Sequence, residues 1–180
     1  CGHATIASFV ALRNLGRLQK TEYIIETAAG RLKVWINDDG LIFMEQNKPS
    51  FFDIISNERL VRCFHPLSLD ERFPVRIVST GLRDIIMPIS APNVLETMVP
   101  DFNEISILSK EMKCIGIHCF ALTESDIDNA STAVCRNFAP LYGINEEAAT
   151  GTSNCALACY LHNLGIRPQR YIFEQGHNLS

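Results

Sequence analysis

Two stretches of the sequence combine glycine with titratable side chains at the predicted start of a helix. One is Cys-Gly-His-Ala-Thr at residues 1–5; the other is Ala-Thr-Gly-Thr-Ser at residues 149–153, shortly after Glu146 and Glu147. Amides in the first turn of a helix are unpaired and lie at the positive end of its dipole, and glycine lets a ligand approach them. A histidine and a carboxylate beside such an anion site suit proton transfer at a carbon made acidic by its neighbours. We therefore interpret His3 and the glutamates as candidate acid–base groups; the alternative is that these residues only shape two turns.

The second stretch repeats the first at an offset of 149 residues. Six positions of the two segments are identical: Gly2 and Gly151, Ala7 and Ala156, Leu12 and Leu161, Asn14 and Asn163, Leu15 and Leu164, and Gly16 and Gly165. Tyr-Ile-Ile-Glu at residues 23–26 then matches Tyr-Ile-Phe-Glu at residues 171–174. The repeat predicts two homologous halves, each with a glycine-led helix entering a sheet.

The elements that position these residues follow from periodicity and turn signals. We predict helices over residues 5–15, 51–64, 102–112 and 152–164. Strands are predicted over residues 23–26, 31–36, 41–46, 75–79, 84–89, 115–122, 132–138 and 171–174, with a hairpin at Asn-Asp-Asp-Gly, residues 37–40. Residues 65–73 are interpreted as a connection and residues 143–149 as a polar loop.

The seven cysteines do not form a metal-binding or disulfide pattern. They are odd in number and contain no Cys-x-x-Cys pair, which favours a reducing, cytoplasmic environment. Cys114, His118 and Cys119 lie close together, but in a buried strand the last two would point to opposite faces. Cys155 and Cys159 are one helical turn apart and fit a core better than a zinc site. We predict no bound metal.

Composition excludes several classes of function. The chain has 180 residues, 47% of them hydrophobic and 20% charged, with a net charge of −4. It contains no basic block, so we do not expect a nucleic-acid partner. Apolar stretches such as residues 114–122 are too short to span a membrane. The glycines are isolated and do not form a dinucleotide-binding fingerprint, so no cofactor is expected.

Several motifs, in order along the chain, resemble those of the PhzF-like isomerases of the phenazine biosynthesis-like family. They are Cys-Gly-His-Ala-Thr at residues 1–5, Ser-Thr-Gly at 79–81, Arg-Asn-Phe-Ala-Pro at 136–140, Gly-Ile at 143–144, Ala-Thr-Gly-Thr at 149–152 and Gln-Gly at 175–176. The resemblance implies an α/β (α+β) protein of two pseudo-symmetric domains similar to diaminopimelate epimerase. In each, a curved, mostly antiparallel sheet surrounds a central helix. We assign residues 1–70 to part of the first domain and residues 71–180 to most of the second.

The resemblance also implies roles for five residues. His3 and Glu147 would be catalytic, whereas Gly2, Gly151 and Thr152 would contact the substrate. Glu147-Ala148 stands where many members have Asp-Pro, so Glu146 stays open as the competing acid–base group. The family's principal glutamate precedes the Cys-Gly-His motif, and further strands follow Gln-Gly, so we expect the sequence to be cut at both ends. Family members are commonly homodimers, and we expect the same here.

Three functions remain open at this stage. The first is a cofactor-independent isomerase that moves a proton on a small carboxylate-containing substrate. The second is an amino-acid epimerase or racemase with two opposed thiols, which is disfavoured because the repeat places Thr150 opposite Cys1. The third is a non-catalytic homologue that binds a small anion.

Overall fold

The computed structural model describes residues 2–27, 30–123 and 131–179. Its contacts divide the chain into two compact units, Cys1–Lys48 and Pro49–Ser180.

The first unit is one helix and a three-stranded antiparallel sheet. Helix α1 (Gly2–Asn14) is followed by β1 (Glu22–Thr27), β2 (Gly30–Ile36) and β3 (Ile42–Met44), paired in the order β1-β2-β3. The β2–β3 hairpin turns at Gly40, whose φ of +80° suits glycine. Phe9 is buried and contacts the edge of the Tyr23 ring. The predicted helix, strands and hairpin of this unit are confirmed.

The second unit is built on a mixed sheet of seven strands. The strands of the unit are β4 (Ser50–Ile54), β5 (Phe64–His65), β6 (Arg76–Ser79), β7 (Arg83–Pro88), β8 (Val99–Pro100), β9 (Ile117–Leu122), β10 (Ala133–Ala139), β11 (Ile144–Glu147) and β12 (Phe173–Gln175). The sheet runs β11-β10-β9-β7-β6-β4, with β12 parallel to β10, while β5 and β8 form a separate pair. The helices are α2 (Asn57–Leu60), α3 (Pro92–Thr97), α4 (Phe102–Met112) and α5 (Gly151–Asn163), with a 3₁₀ turn at Pro140–Tyr142.

The two faces of this sheet carry separate apolar clusters. Helices α3 and α4 contact one face, where Ile85, Ile117 and Cys119 are buried. Helix α5 packs on the other, against Ile86 and Phe120. Residues of β9 therefore alternate between the faces, as predicted for the strand over residues 115–122.

Helix α4 begins and ends at the residues predicted from the sequence. The carboxylate of Asp101 accepts hydrogen bonds from the backbone amides of Asn103 and Glu104, at 3.0 and 3.1 Å. At the other end Lys113 adopts a left-handed conformation with φ +55°. The helix is thus capped at both ends.

Two predictions of local structure were wrong. Residues 51–64 were predicted as one helix, but Ser50–Ile54 is an edge strand on β6 and only Asn57–Leu60 is helical. Phe51 packs with the cluster under α5 and Phe52 with the opposite cluster, which is the two-residue alternation of a strand. The predicted loop at residues 143–149 contains strand β11, paired with β10.

The internal repeat is visible in the helices. Helices α1 and α5 each have 13 residues and begin and end at positions that the repeat makes equivalent. Each is followed by a glycine with positive φ, Gly16 at +67° and Gly165 at +91°. The mixed α/β fold is confirmed, whereas the assignment of two pseudo-symmetric domains at 1–70 and 71–180 stays a prediction. The compact units divide elsewhere, after Lys48, because Leu60 and Phe64 are buried in the core of the second unit.

Candidate active site

The N-terminus of α5 is open to a ligand because its cap residue is engaged elsewhere. The Thr150 hydroxyl caps no amide of the helix. It instead donates to Glu147 Oε2 at 2.9 Å and accepts from Gln175 Nε2 at 3.0 Å. A Cβ placed on Gly151 would meet no atom within 4 Å. Space and unpaired amides therefore coincide in the first turn, close to the Glu147 carboxylate.

The structure distinguishes the two adjacent glutamates. Glu146 Oε1 and Oε2 accept from Nε and Nη2 of Arg136 at 2.8 and 2.9 Å, and this ion pair is almost fully buried. Arg136 also donates to the carbonyl oxygens of Leu95 and Met98. Both carboxylate oxygens of Glu146 thus bond Arg136 in the core. Glu147 is half-buried on the opposite side of β11 and bonds the neutral side chains of Asn137 and Thr150.

A row of polar side chains crosses three strands beneath the start of α5. His118 of β9 is paired in register with Asn137 of β10, which in turn is paired with Glu147 of β11. His118 Nδ1 lies 3.1 Å from Asn137 Oδ1, and Asn137 Nδ2 donates to Glu147 Oε2 at 3.5 Å. The row lies on the sheet face that carries the apolar cluster under α5.

Helix α5 and β12 complete the surroundings of this row. His118 Nε2 lies 3.0 Å from Asn154 Oδ1, and Asn154 Nδ2 donates to Gln175 Oε1 at 3.3 Å. Gln175 Nε2 donates to the Glu147 carbonyl oxygen at 2.7 Å. Burial lowers the pKa of His118 to about 4, against the smaller opposing effect of its two amide partners, so the ring is neutral near pH 7.

A second buried carboxyl lies under the same helix turn. Asp84 of β7 is 3% exposed and accepts a hydrogen bond from the Ser153 hydroxyl at 2.8 Å. Burial raises the pKa of Asp84 to about 7, the Ser153 hydrogen bond opposes this rise, and the charge of Glu147 adds to it. The site therefore contains a carboxyl whose proton affinity is matched to neutral pH.

The remaining predicted residues lie as follows. Thr152 is half-buried in the first turn of α5, and its carbonyl oxygen accepts from the Thr80 hydroxyl at 3.3 Å. In the first unit His3 is exposed in the first turn of α1, and a Cβ on Gly2 would lie 3.7 Å from Met44 Cε. Glu147, Gly151 and Thr152 are thus brought together in one unit, and Gly2 and His3 in the other. Cys1 lies outside the described residues.

The described thiols are unsuited to act as bases. Six cysteines are free and at least half-buried, and burial raises the pKa of each; they are Cys63, Cys114, Cys119, Cys135, Cys155 and Cys159. No group of three His, Cys, Asp or Glu residues able to hold a metal occurs within residues 2–27, 30–123 and 131–179. In the same part of the chain, no helix is long and apolar enough to cross a membrane.

Residues 1–180 match the sequence profile of the family described as phenazine biosynthesis-like protein. The chain belongs to this family. It is 36% identical over 169 residues to an uncharacterized isomerase of Clostridium acetobutylicum, which covers 89% of this chain and 55% of that relative. It is 31% identical to the uncharacterized isomerase YfhB of Bacillus subtilis, over 100% of this chain and 64% of the relative. The predicted family resemblance is confirmed.

Two solved structures share the fold of this chain. A PhzF-family protein of Bacillus anthracis superimposes with a TM-score of 0.81 at 29% identity, over 99% of this chain and 64% of the other. A predicted epimerase of Pseudomonas aeruginosa superimposes with a TM-score of 0.66 at 20% identity, over 92% and 57% of the two chains. The chain therefore spans between about half and two thirds of the length of these relatives.

Sequence analysis overlooked four polar residues of the site. Asn137 and Gln175 lie inside recognised motifs but were given no role, Asn154 was placed within the helix without comment, and Asp84 was treated as the start of a strand. A carboxylate at a position that faces a core is a signal that could have identified Asp84. His118 was considered only as a metal ligand.

Proposed function

We propose that this protein is a cofactor-independent isomerase that moves a proton on a small carboxylate-containing substrate. The observation that carries the proposal is the Glu147 carboxylate, held by Thr150 beside the uncapped first turn of α5. Membership of a family whose curated relatives are named isomerases supports the reaction class.

In this proposal the first turn of α5 binds the substrate carboxylate. The amides of Gly151 and Thr152 donate to it and stabilise the negative charge that grows when the adjacent carbon loses its proton. Glu147 takes up that proton or returns it at another carbon. A well-placed acid–base group contributes roughly 10²–10⁴-fold to such a step. His3, at the equivalent turn of the repeat, is proposed as a second proton-transfer group, and Gly2 as a second contact for the substrate.

The two-thiol epimerase is the less favoured reaction. It needs a thiolate on each face of the substrate carbon, but Thr150 takes the position equivalent to Cys1 and its hydroxyl is committed to Glu147. The six described thiols are also held in their protonated form by burial.

The test is exchange of substrate hydrogen with solvent. The full chain is incubated in D₂O with a panel of small hydroxy and amino carboxylates, and deuterium incorporation is followed by NMR. We expect incorporation with at least one ligand and a loss of about 10²-fold or more in Glu147→Gln. A ligand that binds in calorimetry but never exchanges would instead support the non-catalytic, anion-binding alternative.

The partner assignments follow from the family and not from the contacts of one chain. We propose a homodimer with a small carboxylate as its only ligand. Light scattering coupled to size-exclusion chromatography tests the first part, and a monomer at all concentrations would contradict it. A cytoplasmic location is proposed from the free cysteines.

A further inference from the structure

The polar side chains beneath α5 close into a ring of hydrogen bonds that begins at a buried imidazole and ends on Glu147. Here this is called the hydrogen-bond ring. Its members are His118, Asn137, Glu147, Thr150, Gln175 and Asn154. One arm leads from Nδ1 of His118 through Asn137 to Glu147. The other leads from Nε2 through Asn154, Gln175 and Thr150 to the same carboxylate.

We propose that His118 is a positioning residue for Glu147: it orients the carboxylate through Asn137, without contacting the substrate. This inference rests on the proposed function, because Glu147 is the acid–base group there. His118 is completely buried, so it acts only through its neighbours.

Both arms of the hydrogen-bond ring reach the same oxygen of Glu147. Thr150 Oγ1 donates to Oε2 at 2.9 Å and Asn137 Nδ2 donates to Oε2 at 3.5 Å. The terminal torsion of a glutamate is broad and two-fold, so without such partners the two oxygens exchange places freely. With Oε2 held from two sides, Oε1 is the oxygen that carries none of the ring's bonds and is available for proton transfer.

The direction of the bonds selects one tautomer of His118. Asn137 Nδ2 donates to a carboxylate and Asn154 Nδ2 donates to Gln175, so both amide oxygens face the imidazole. A neutral imidazole carries only one N–H and satisfies only one of them. Turning Asn137 would put its amide oxygen against the charged Glu147, whereas turning Asn154 replaces a neutral 3.3 Å bond to Gln175 with a contact between two neutral amide oxygens, which costs less than one with a carboxylate. The Nδ1–H tautomer, which donates to Asn137, is therefore the expected one.

A structural role alone does not explain this arrangement. Next to the hydrogen-bond ring, the same sheet face packs apolar side chains such as Ile86, Phe120 and Cys135 against α5. An apolar residue in place of His118 would remove the need to satisfy the buried amide of Asn137 and the half-buried amide of Asn154, and such networks are costly when incomplete. Glu147 is the one charged member of the hydrogen-bond ring. We therefore infer that the hydrogen bonds of the ring serve to hold the Glu147 carboxylate in one orientation.

The first test is spectroscopic and needs no substrate. In the uniformly ¹⁵N-labelled full chain at pH 7, we expect the His118 ring to show a protonated Nδ1 and an unprotonated Nε2. Glu147→Gln should shift the Nδ1–H proton resonance, because the charge at the end of the arm is lost. An Nε2–H tautomer, or an Nδ1–H resonance unchanged by Glu147→Gln, would overturn the proposal. This outcome does not depend on whether the protein is an isomerase.

The second test uses turnover on whichever substrate shows exchange. We expect His118→Phe to lower kcat about 10- to 100-fold with KM changed less than threefold, since misplacing a reacting group by about 1 Å costs up to about 10²-fold. His118→Gln, which keeps a donor toward Asn137, should recover most of this loss. In a Glu147→Gln background His118→Phe should cost less than twofold, because the group that it positions is already gone.

The matched control is Phe120→Leu, on the same strand and face but outside the hydrogen-bond ring. It should lower thermal stability and leave kcat unchanged. Equal losses of kcat in His118→Phe, His118→Gln and Phe120→Leu would show a merely structural effect and overturn the proposal. If His118→Phe does not fold, Asn137→Leu interrupts the same arm and must give the same change in kcat.

Discussion

At the scale of single residues, two adjacent glutamates differ because a strand sends neighbours to opposite faces. Glu146 points into the core that lies under α3 and α4, where it pairs with Arg136. Glu147 points toward the first turn of α5. The sequence favours Glu147, which stands at the position of the family's aspartate, and keeps Glu146 as the competing candidate. The β10–β11 register and the bond to Thr150 place Glu147 beside the first turn of α5, which supports that prediction.

This difference predicts opposite phenotypes for one substitution at neighbouring positions. Glu146→Gln removes the charge that compensates a buried guanidinium and should lower the unfolding free energy by about 3 kcal/mol. Glu147→Gln should leave stability within about 1 kcal/mol, because the residue is half-exposed, while slowing the exchange of substrate hydrogen about 10²-fold. Urea unfolding and the deuterium assay measure the two effects. Equal stability losses in both variants would contradict the assignment.

A second residue-scale prediction concerns two glycines. Gly151→Ala adds a methyl group to open space, so the protein should be as stable as the wild type or slightly more so, by up to about 1 kcal/mol from helix propensity. Its affinity for the carboxylate ligand should nevertheless fall, since the methyl group occupies the approach to the helix amides. Calorimetry with the exchanging ligand and thermal unfolding measure both.

The control for this variant is Gly116→Ala. There the new Cβ would lie 1.9 Å from the carbonyl oxygen of Phe138, so the backbone must move and stability must drop. Unchanged ligand affinity in Gly151→Ala would show that the substrate does not approach this turn.

At the scale of elements, the structure agrees with the sequence where local signals are strong. The boundaries of α4 are predictable because Asp101 supplies a cap and the apolar residues follow a helical period. The equal lengths of α1 and α5 follow from the repeat. The prediction of one helix over residues 51–64 is wrong because Phe51 and Phe52 lie in an edge strand that pairs with β6. Such pairing depends on tertiary contacts, and a single sequence gives little signal for it.

The candidate site, like the secondary structure, could be predicted only in part from the sequence. The motifs identified Glu147, Gly151 and Thr152 as neighbours of one helix start. The participation of His118, Asn137 and Gln175 depends on strand order and register, which bring together residues that lie between 10 and 36 positions apart in the sequence. No spacing rule in the sequence encodes such neighbours.

Helix α4 offers a direct prediction at this scale. Asp101→Ala removes acceptors for the amides of Asn103 and Glu104 and should cost about 1 kcal/mol, up to about 2. Asp101→Asn keeps an acceptor and should recover most of that loss. Urea denaturation midpoints compare the three proteins, and a full loss in Asp101→Asn would mean that charge and not the hydrogen bonds stabilises the helix start.

At the scale of the whole second unit, the two faces of the sheet differ in the polar side chains that they bury. The face under α3 and α4 carries an apolar cluster together with the satisfied ion pair of Arg136 and Glu146. The face under α5 combines an apolar cluster with two buried titratable side chains, Asp84 and His118. Both side chains have shifted pKa values, so this face contributes to the pH dependence of stability.

The two buried groups act in opposite directions. The Asp84 pKa rises from 3.8 to about 7, so the folded state keeps a proton that the unfolded chain has lost, and stability falls as pH rises through this window. The His118 pKa falls from 6.5 to about 4, so the unfolded chain holds a proton that the folded state lacks, and stability rises with pH over that window. Between about pH 4 and 6.5 the two slopes oppose each other.

Single substitutions should separate the two slopes. In Asp84→Asn the unfolding free energy should rise between pH 4 and 6.5. The difference in unfolding free energy between this variant and the wild type should increase from pH 4 to pH 8 by an amount on the order of 4 kcal/mol, in favour of the variant. In His118→Gln the unfolding free energy should instead fall steadily between pH 4 and 7. Urea unfolding at half-unit pH steps measures all three curves. The double variant, which retains neither group, should have the flattest profile of the series; three parallel curves would mean that neither group titrates in the folded state as described.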